Sequence, residues 1–289
     1  MQGSLDVFDD RRCALGEGPV SRGADHSEIS WVDVWGKSLL TKNMESGASS
    51  LITIDEDLSF AVPTAGGDQL LGSARGPLLM QGEKLTQFVT RDEVDATPMR
   101  WNDAKVSPHG DLWLGTLSYN EEPGFAGLYQ LRASDRQLTK VISDVGMSNG
   151  MAWSADNSTF YWIDTLSFGL DAFDYDQSGI RNRRQVIAFD TAFGYPDGMA
   201  IDSEDGLWIA FYAGGAVRRY DARNGFKQTH EIKVPAARTT SCTFAGPSLS
   251  QLIITTAHKN EPDTTVDDGR TYICEPGFTG TPTRYFAGA

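Results

Sequence analysis

The chain has 289 residues, 40% hydrophobic and 22% charged, which is long enough for a real core and unlike a disordered composition. Its formal charge of −14 argues against a phosphate backbone or an anionic membrane surface as partner and leaves small-molecule chemistry open. Three widely spaced cysteines, Cys13, Cys242 and Cys274, form an odd set with no CxxC spacing, so neither a disulfide framework nor a thiolate zinc site is expected.

From the N-terminus, residues 1–12 lack the apolar stretch of a secretory signal, and no run of 18 apolar residues follows anywhere. A cytoplasmic location is the expectation. Strand-like runs then appear at Glu28–Val34, Gly76–Gln81, Asp111–Thr116, Thr159–Thr165, Gly206–Phe211 and Gln251–Thr256. Their starts lie 48, 35, 48, 47 and 45 residues apart, a mean of about 45. Further strands, Gly127–Leu131 and Ala216–Tyr220, come next within their units, and polar turns such as Asp221–Gly225 follow them. A period of this length with several strands per unit predicts a β-propeller, and six units fill the chain. The expected fold is therefore all-β, a single six-bladed propeller domain over residues 1–289 with a metal site in its central channel. The second unit is the weakest match. A β-sandwich is the rival, and the regularity of the period disfavours it. A closed ring offers no open sheet edge, so a monomer or a weak homo-oligomer is expected. Asn157-Ser158-Thr159 has the form of a glycosylation sequon and reads here as a solvated turn.

Two phrases repeat within this period: Ser148-Asn149-Gly150-Met151-Ala152 and Pro196-Asp197-Gly198-Met199-Ala200. Each runs into a strand holding a Trp, and Asn102-Asp103 and Glu17-Gly18 precede a Trp in the same way. From Glu17, Asn102, Asn149 and Asp197 to Trp31, Trp113, Trp162 and Trp208 the offsets are 14, 11, 13 and 11 residues. In a propeller such places open the innermost strand at one mouth of the channel. Three of the four are followed by Gly, which lets the backbone crowd the axis or take a positive φ. Each residue taken singly reads as a turn; the shared register makes the set a site. Two carboxylates and two amide oxygens, without sulfur or imidazole, suit Ca²⁺, Mg²⁺ or Mn²⁺ better than Zn²⁺ or Cu²⁺. One divalent cation, Ca²⁺ first and Mg²⁺, Mn²⁺, Zn²⁺ or Fe²⁺ after it, is the expected cofactor.

Arg100 shares a strand face with Asn102, where its guanidinium either meets substrate oxygens or forms a structural ion pair. Glu121 and Glu122 fall in a loop over the same mouth, either orienting substrate hydroxyls or simply solvated. The four tryptophans, with Met151 and Met199, are expected to pack between blades. His26, His109, His230 and His258 show no metal-ligand spacing, and no G-x-S-x-G, P-loop or G-x-G-x-x-G is present.

These phrases resemble the senescence marker protein (regucalcin), gluconolactonase and luciferin-regenerating enzyme family. The matching segments include Leu15–Pro19, Arg100–Asp103, Gly115–Leu117, Ser148–Ser154, Tyr161–Thr165, Pro196–Met199 and Cys242–Pro247. The resemblance implies a six-bladed propeller with a divalent cation held by Glu17, Asn149 and Asp197. It implies substrate contacts at Arg100 and Asn102 and Asp197 as candidate base, while the loop around Glu121 and Glu122 aligns loosely with the family. It also implies hydrolysis of sugar lactones, by carbonyl polarisation on the metal with either Asp197 or a metal-bound hydroxide driving attack. Organophosphate hydrolysis and a non-catalytic calcium-binding propeller are the alternatives. Ala104, Trp101 and Ala245 depart from the residues usual at their places, and they fall in the substrate wall rather than among the ligands.

Overall fold

The structure is a computed structural model, described for residues 3–89, 99–259 and 263–289. The described strands form six four-stranded antiparallel sheets, which makes the fold a six-bladed β-propeller. Blade 1 comprises Gly16–Arg22, Glu28–Asp33, Ser38–Asn43 and Ser49–Thr53; blade 2 comprises Ala61–Pro63, Gln69–Ser73, Gly76–Gln81 and Lys84–Gln87. Blade 3 comprises Met99–Val106, Leu112–Ser118, Ala126–Leu131 and Leu138–Val145; blade 4 comprises Ser148–Trp153, Thr159–Asp164, Gly169–Asp176 and Gly179–Ala188. Blade 5 comprises Tyr195–Ile201, Gly206–Tyr212, Ala216–Asp221 and Lys227–Lys233. Blade 6 takes Thr239–Ala245, Gln251–Thr256 and Thr271–Cys274 from the end of the chain, and Asp6–Asp9 from its start as the outer strand. That exchange closes the ring with backbone hydrogen bonds between the two ends.

The predicted runs are the second strands of five blades. The exception is Gly76–Gln81, which is the third strand of blade 2; its second strand is Gln69–Ser73. The uneven spacing in the sequence arises there, because Gln69-Leu70-Leu71-Gly72-Ser73 is short, lacks an aromatic anchor and is masked by the longer apolar run after it.

The core consists of six layers, one between each pair of adjacent blades. Trp113, Leu128, Met151, Trp153 and Trp162 fill the space between blades 3 and 4. Met199 packs with Ile163 and Ile209 between blades 4 and 5, Trp208 with Cys242 and Phe244 between blades 5 and 6, and Trp31 with Phe8 and Ile253 between blades 6 and 1. The four tryptophans of the repeat are fully buried here, as packing residues. All three cysteines are buried and free. Among the described residues no helix is long and apolar enough to cross a membrane.

The first strand of each blade lines the channel, and five of the six carry one extra residue against their partner strand. Glu17 faces Val32 and Val20 faces Ser30; Trp101 faces Thr116 and Ala104 faces Leu114. Ser148 faces Asp164 and Met151 faces Trp162; Pro196 faces Phe211 and Met199 faces Ile209. Thr239 faces Thr256 and Ser241 faces Thr255. An extra residue of this kind is a β-bulge, which breaks the side-chain alternation and re-aims a side chain. Asn102, Asn149 and Asp197 are each the first bulged residue, and Glu17 is the last paired residue before its bulge. None of them is the first residue of its strand, so the channel end is set by the bulge rather than by the strand start. Blade 6 spends its bulge on Thr240, whose hydroxyl donates to the Gly16 carbonyl of blade 1 at 2.5 Å. The three-residue strand Ala61–Pro63 has none.

The glycines beside these residues do two different jobs. Gly18 takes φ +53 with nothing closer than 3.7 Å to a Cβ built there. Gly150 and Gly198 are needed for close approach: a Cβ on Gly150 would lie 2.7 Å from the Asp197 carbonyl, and one on Gly198 would lie 2.9 Å from the Ser241 Cα. Gly198→Ala is therefore expected to push blades 5 and 6 apart and destabilise the protein by about 1–3 kcal/mol. Urea denaturation measures this, and an unchanged midpoint would contradict the close-packing account.

Candidate metal and substrate site

The bulges of blades 1, 3, 4 and 5 open on a single cavity of about 230 Å³. Glu17, Arg100, Asn102, Asn149, Thr165 and Asp197 line it. Asp197, Asn102 and Asn149 are buried, at 8%, 7% and 4% exposure, and Arg100 at 9%. Glu121 also lines the cavity, from an exposed loop position with φ 54. Glu122 does not line it.

A run of hydrogen bonds fixes the polar groups across three blades. The Arg100 Nη1 donates to Asn102 Oδ1 at 3.0 Å and to the Trp101 carbonyl at 3.1 Å. The Asn102 Nδ2 donates to Asn149 Oδ1 at 2.7 Å and to the Ser148 carbonyl at 2.9 Å. The Asn149 Nδ2 donates to Thr165 Oγ1 at 2.8 Å, and that hydroxyl donates to the Pro196 carbonyl at 2.7 Å. Every donor points the same way, from the guanidinium toward the peptide before Asp197. Such a chain locks both amides in one orientation, because flipping either would set donor against donor. Thr165 is the link that sequence reasoning misses. It stands at the end of a strand recognisable only by its apolar residues, and its role emerges only when blades 4 and 5 are brought together.

The two carboxylates are treated differently. Among the described residues Glu17 and Asp197 have no ion-pair partner within 4.0 Å, and the Gly18 N–H donates to Glu17 Oε2 at 3.1 Å. Glu17 keeps some exposure to the cavity, but desolvation is the main force on it and pushes its pKa up to about 8, with the Asp103 charge adding to the effect. Burial likewise raises Asp197 well above the usual carboxylate range, with Glu17 and then Asp103 as the repelling charges. Asp103 is the second bulged residue of blade 3, and its Oδ2 has no hydrogen-bond partner; burial raises its pKa too. Nothing in the sequence pattern marks Asp103 for a role beside Asn102. Arg100 is pushed below the usual arginine range by desolvation, opposed first by the charge of Glu17. It forms no ion pair within 4.0 Å among the described residues, so the structural ion-pair alternative is not what holds it.

This donor set fits a divalent cation. Among the described residues no group of three or more His, Cys, Asp and Glu side chains could hold a metal, so Asp103 does not join Glu17 and Asp197 as a third ligand. The remaining oxygen is an amide: Asn149 Oδ1 accepts one bond and keeps its second lone pair. Two desolvated carboxylates and an oriented amide oxygen, short of positive charge, are what a hard cation stabilises.

The other walls are apolar and aromatic. Leu15 and Trp35 come from blade 1, Leu117 and Tyr119 from blade 3, Met147 and Leu166 from blade 4, and Tyr195 and Tyr212 from blade 5. Lys259, after the second strand of blade 6, completes the lining. Most of these residues lie in loops just past strand ends, where no repeat signal reaches.

The chain belongs to the SMP-30/gluconolactonase/LRE-like family, whose family model matches residues 15–258. Regucalcin of Gallus gallus is 36% identical over 254 residues, covering 85% of this chain and 84% of that protein. Among solved structures, luciferin-regenerating enzyme matches with a TM-score of 0.92 at 26% identity, over 99% of each chain. A calcium-binding protein, regucalcin from Agrobacterium tumefaciens, matches with a TM-score of 0.91 at 26% identity, over 98% of this chain and 97% of that one.

The raised carboxyls have a definite pH signature. A carboxyl whose folded pKa lies above its unfolded value stabilises the fold fully below the unfolded value and loses that contribution as pH rises through the folded one. In metal-stripped protein, stability is expected to fall between about pH 4.5 and pH 8 as Glu17 ionises. Added Ca²⁺ is expected to raise the melting temperature more at pH 8 than at pH 5, and Glu17→Gln to remove most of that difference. Thermal melts with chelator and with Ca²⁺ at both pH values measure it; a Ca²⁺ shift of equal size at both would contradict the assignment.

Proposed function

We propose that this protein is a divalent-metal-dependent lactonase that opens sugar lactones to their hydroxy acids. The observation that carries the reading is the placement of Glu17, Asn149 and Asp197 beside Arg100 and Asn102 in one cavity. The gluconolactonase in the name of the family supports it. Glu17, Asn149 and Asp197 would hold the cation. When bound, a divalent ion there supplies Lewis-acid polarisation of a carbonyl and acidifies water.

The chain's own groups supply the rest. Arg100 presents a desolvated guanidinium, already tied to Asn102, whose remaining N–H donors meet the substrate's ring or carbonyl oxygen as negative charge develops there. Asn102 sets the position of that guanidinium and, through Asn149, the position of the amide oxygen. Asp197 faces the cavity beside Glu17, where its carboxylate is the group placed to accept the proton of the attacking water. Glu121 reaches in from the rim, where its carboxylate accepts hydrogen bonds from substrate hydroxyls. The apolar walls exclude bulk water from the ester.

A second reading, a calcium-binding propeller without catalysis, is favoured by the likeness to the Agrobacterium regucalcin, which is described as a calcium-binding protein. It gives no reason to desolvate Arg100 beside the ligands. Asp197→Asn is expected to lower kcat for lactone hydrolysis by about 10³-fold or more, and Arg100→Gln by about 10²-fold. Both variants should keep the wild-type circular dichroism spectrum. A pH-indicator assay measures the rates; near-wild-type turnover in Asp197→Asn would remove that residue from the mechanism.

A further inference from the structure

The rim of the cavity is polarised across the ring. Blade 3 contributes the exposed carboxylate of Glu121, and on the same side Tyr119 donates its hydroxyl to Asp57 Oδ2 at 3.1 Å. Blade 6 lies opposite blade 3 and contributes Lys259, the one lysine of the lining among the described residues. Its backbone is tied down: the Lys259 N–H donates to the Ala14 carbonyl at 3.0 Å, and the His258 N–H to the Cys13 carbonyl at 3.2 Å. The Lys259 ammonium lies 5.0 Å from the ring centre of Trp35 on blade 1 and 5.1 Å from that of Tyr212 on blade 5. Two aromatic faces from the flanking blades thus hold the cation of the blade between them.

That arrangement fixes a charge without neutralising it. Cation–π contact orients an ammonium but supplies no anionic oxygen, so a donor turned away from the rings can still meet one. Among the described residues no carboxylate lies within 4.0 Å of Lys259. Trp35 is 43% exposed, so the holder stands open at the mouth. A chain with a net charge of −14 repels anions at a distance, so recognition of an anionic ligand needs a local cation. Arg100 supplies one at the floor and Lys259 a second at the rim. A neutral lactone has a use for the first only.

We propose that Lys259 is a specificity-determining residue, which selects lactones carrying an anionic group, carboxylate or phosphate, at the end remote from the ester. This rests on the lactonase reading. The ammonium forms charge-assisted hydrogen bonds with the remote anion, while the rings of Trp35 and Tyr212 cover the intervening carbon chain.

The test compares wild type, Lys259→Gln and Lys259→Arg, as full chains with Ca²⁺. The substrates are glucono-δ-lactone, its 6-phosphate and glucaro-1,4-lactone. Wild type is expected to prefer one or both anionic lactones, which tells phosphate from carboxylate. In Lys259→Gln the ratio of kcat/KM for the preferred anionic lactone to that for the neutral one falls about tenfold, chiefly through KM. Lys259→Arg restores most of it, which a purely structural role would not produce. A wild-type preference for the neutral lactone, or a ratio that Lys259→Gln leaves unmoved, overturns the proposal. Calorimetric binding of glucarate and gluconate to the same proteins separates the two levels. If no lactone is turned over but glucarate binding still weakens about tenfold in Lys259→Gln, the lactonase reading fails and the anion site stands.

Discussion

One extra residue in the innermost strand of a blade is the constraint on which the site depends. A regular strand sends alternate side chains to the two faces of its sheet, and in a propeller both faces are covered by neighbouring blades. A polar side chain on such a strand would be buried in an interblade layer. The bulge breaks the alternation at one point, and Asn102, Asn149 and Asp197 stand on that point in blades 3, 4 and 5. Close approach of the inner strands then sets the spacing, and Gly150 and Gly198 permit it by lacking a Cβ. The ring is rigid because six apolar layers and the strand exchange of blade 6 hold it.

The geometry gathers buried carboxyls with little positive charge beside them. Glu17, Asp197 and Asp103 are desolvated together; Arg100 is the counter-charge to Glu17 and Asp197, and Lys105 the one to Asp103. Burial raises the pKa of all three, that of Glu17 to about 8. The hydrogen-bond run from Arg100 to Pro196 holds the neutral groups in place whatever the carboxyls do. The fold keeps the pocket shaped, and the charge balance leaves it receptive.

Much of this is legible in the sequence because a repeat fold writes its geometry as a period. In blades 1, 3, 4 and 5 the Trp of the second strand and the polar residue ahead of it keep rough register, since both are tied to the same sheet pairing. Blade 2 breaks the pattern: among the described residues it has a short inner strand, no bulge and no tryptophan, and it contributes nothing to the cavity lining. Its third strand, Gly76–Gln81, is the longer apolar run and so the more visible one. Thr165, Trp35, Tyr212 and Lys259 are illegible for a different reason. Their neighbours come from other blades, and positions at or past strand ends carry no periodic signal. Glu17 precedes its bulge where the other three sit within theirs, which adds one residue to its offset from Trp31.

The most direct test of the account is metal-dependent turnover in stripped and reconstituted protein. Chelator-treated protein, shown folded by circular dichroism, is assayed against γ- and δ-aldonolactones with Ca²⁺, Mg²⁺, Mn²⁺, Zn²⁺ and Fe²⁺ restored one at a time. The account predicts no turnover in the stripped protein and recovery with at least one hard divalent ion, in proportion to its occupancy. Full lactone hydrolysis by metal-free protein, or none from folded protein with metal bound, would contradict it.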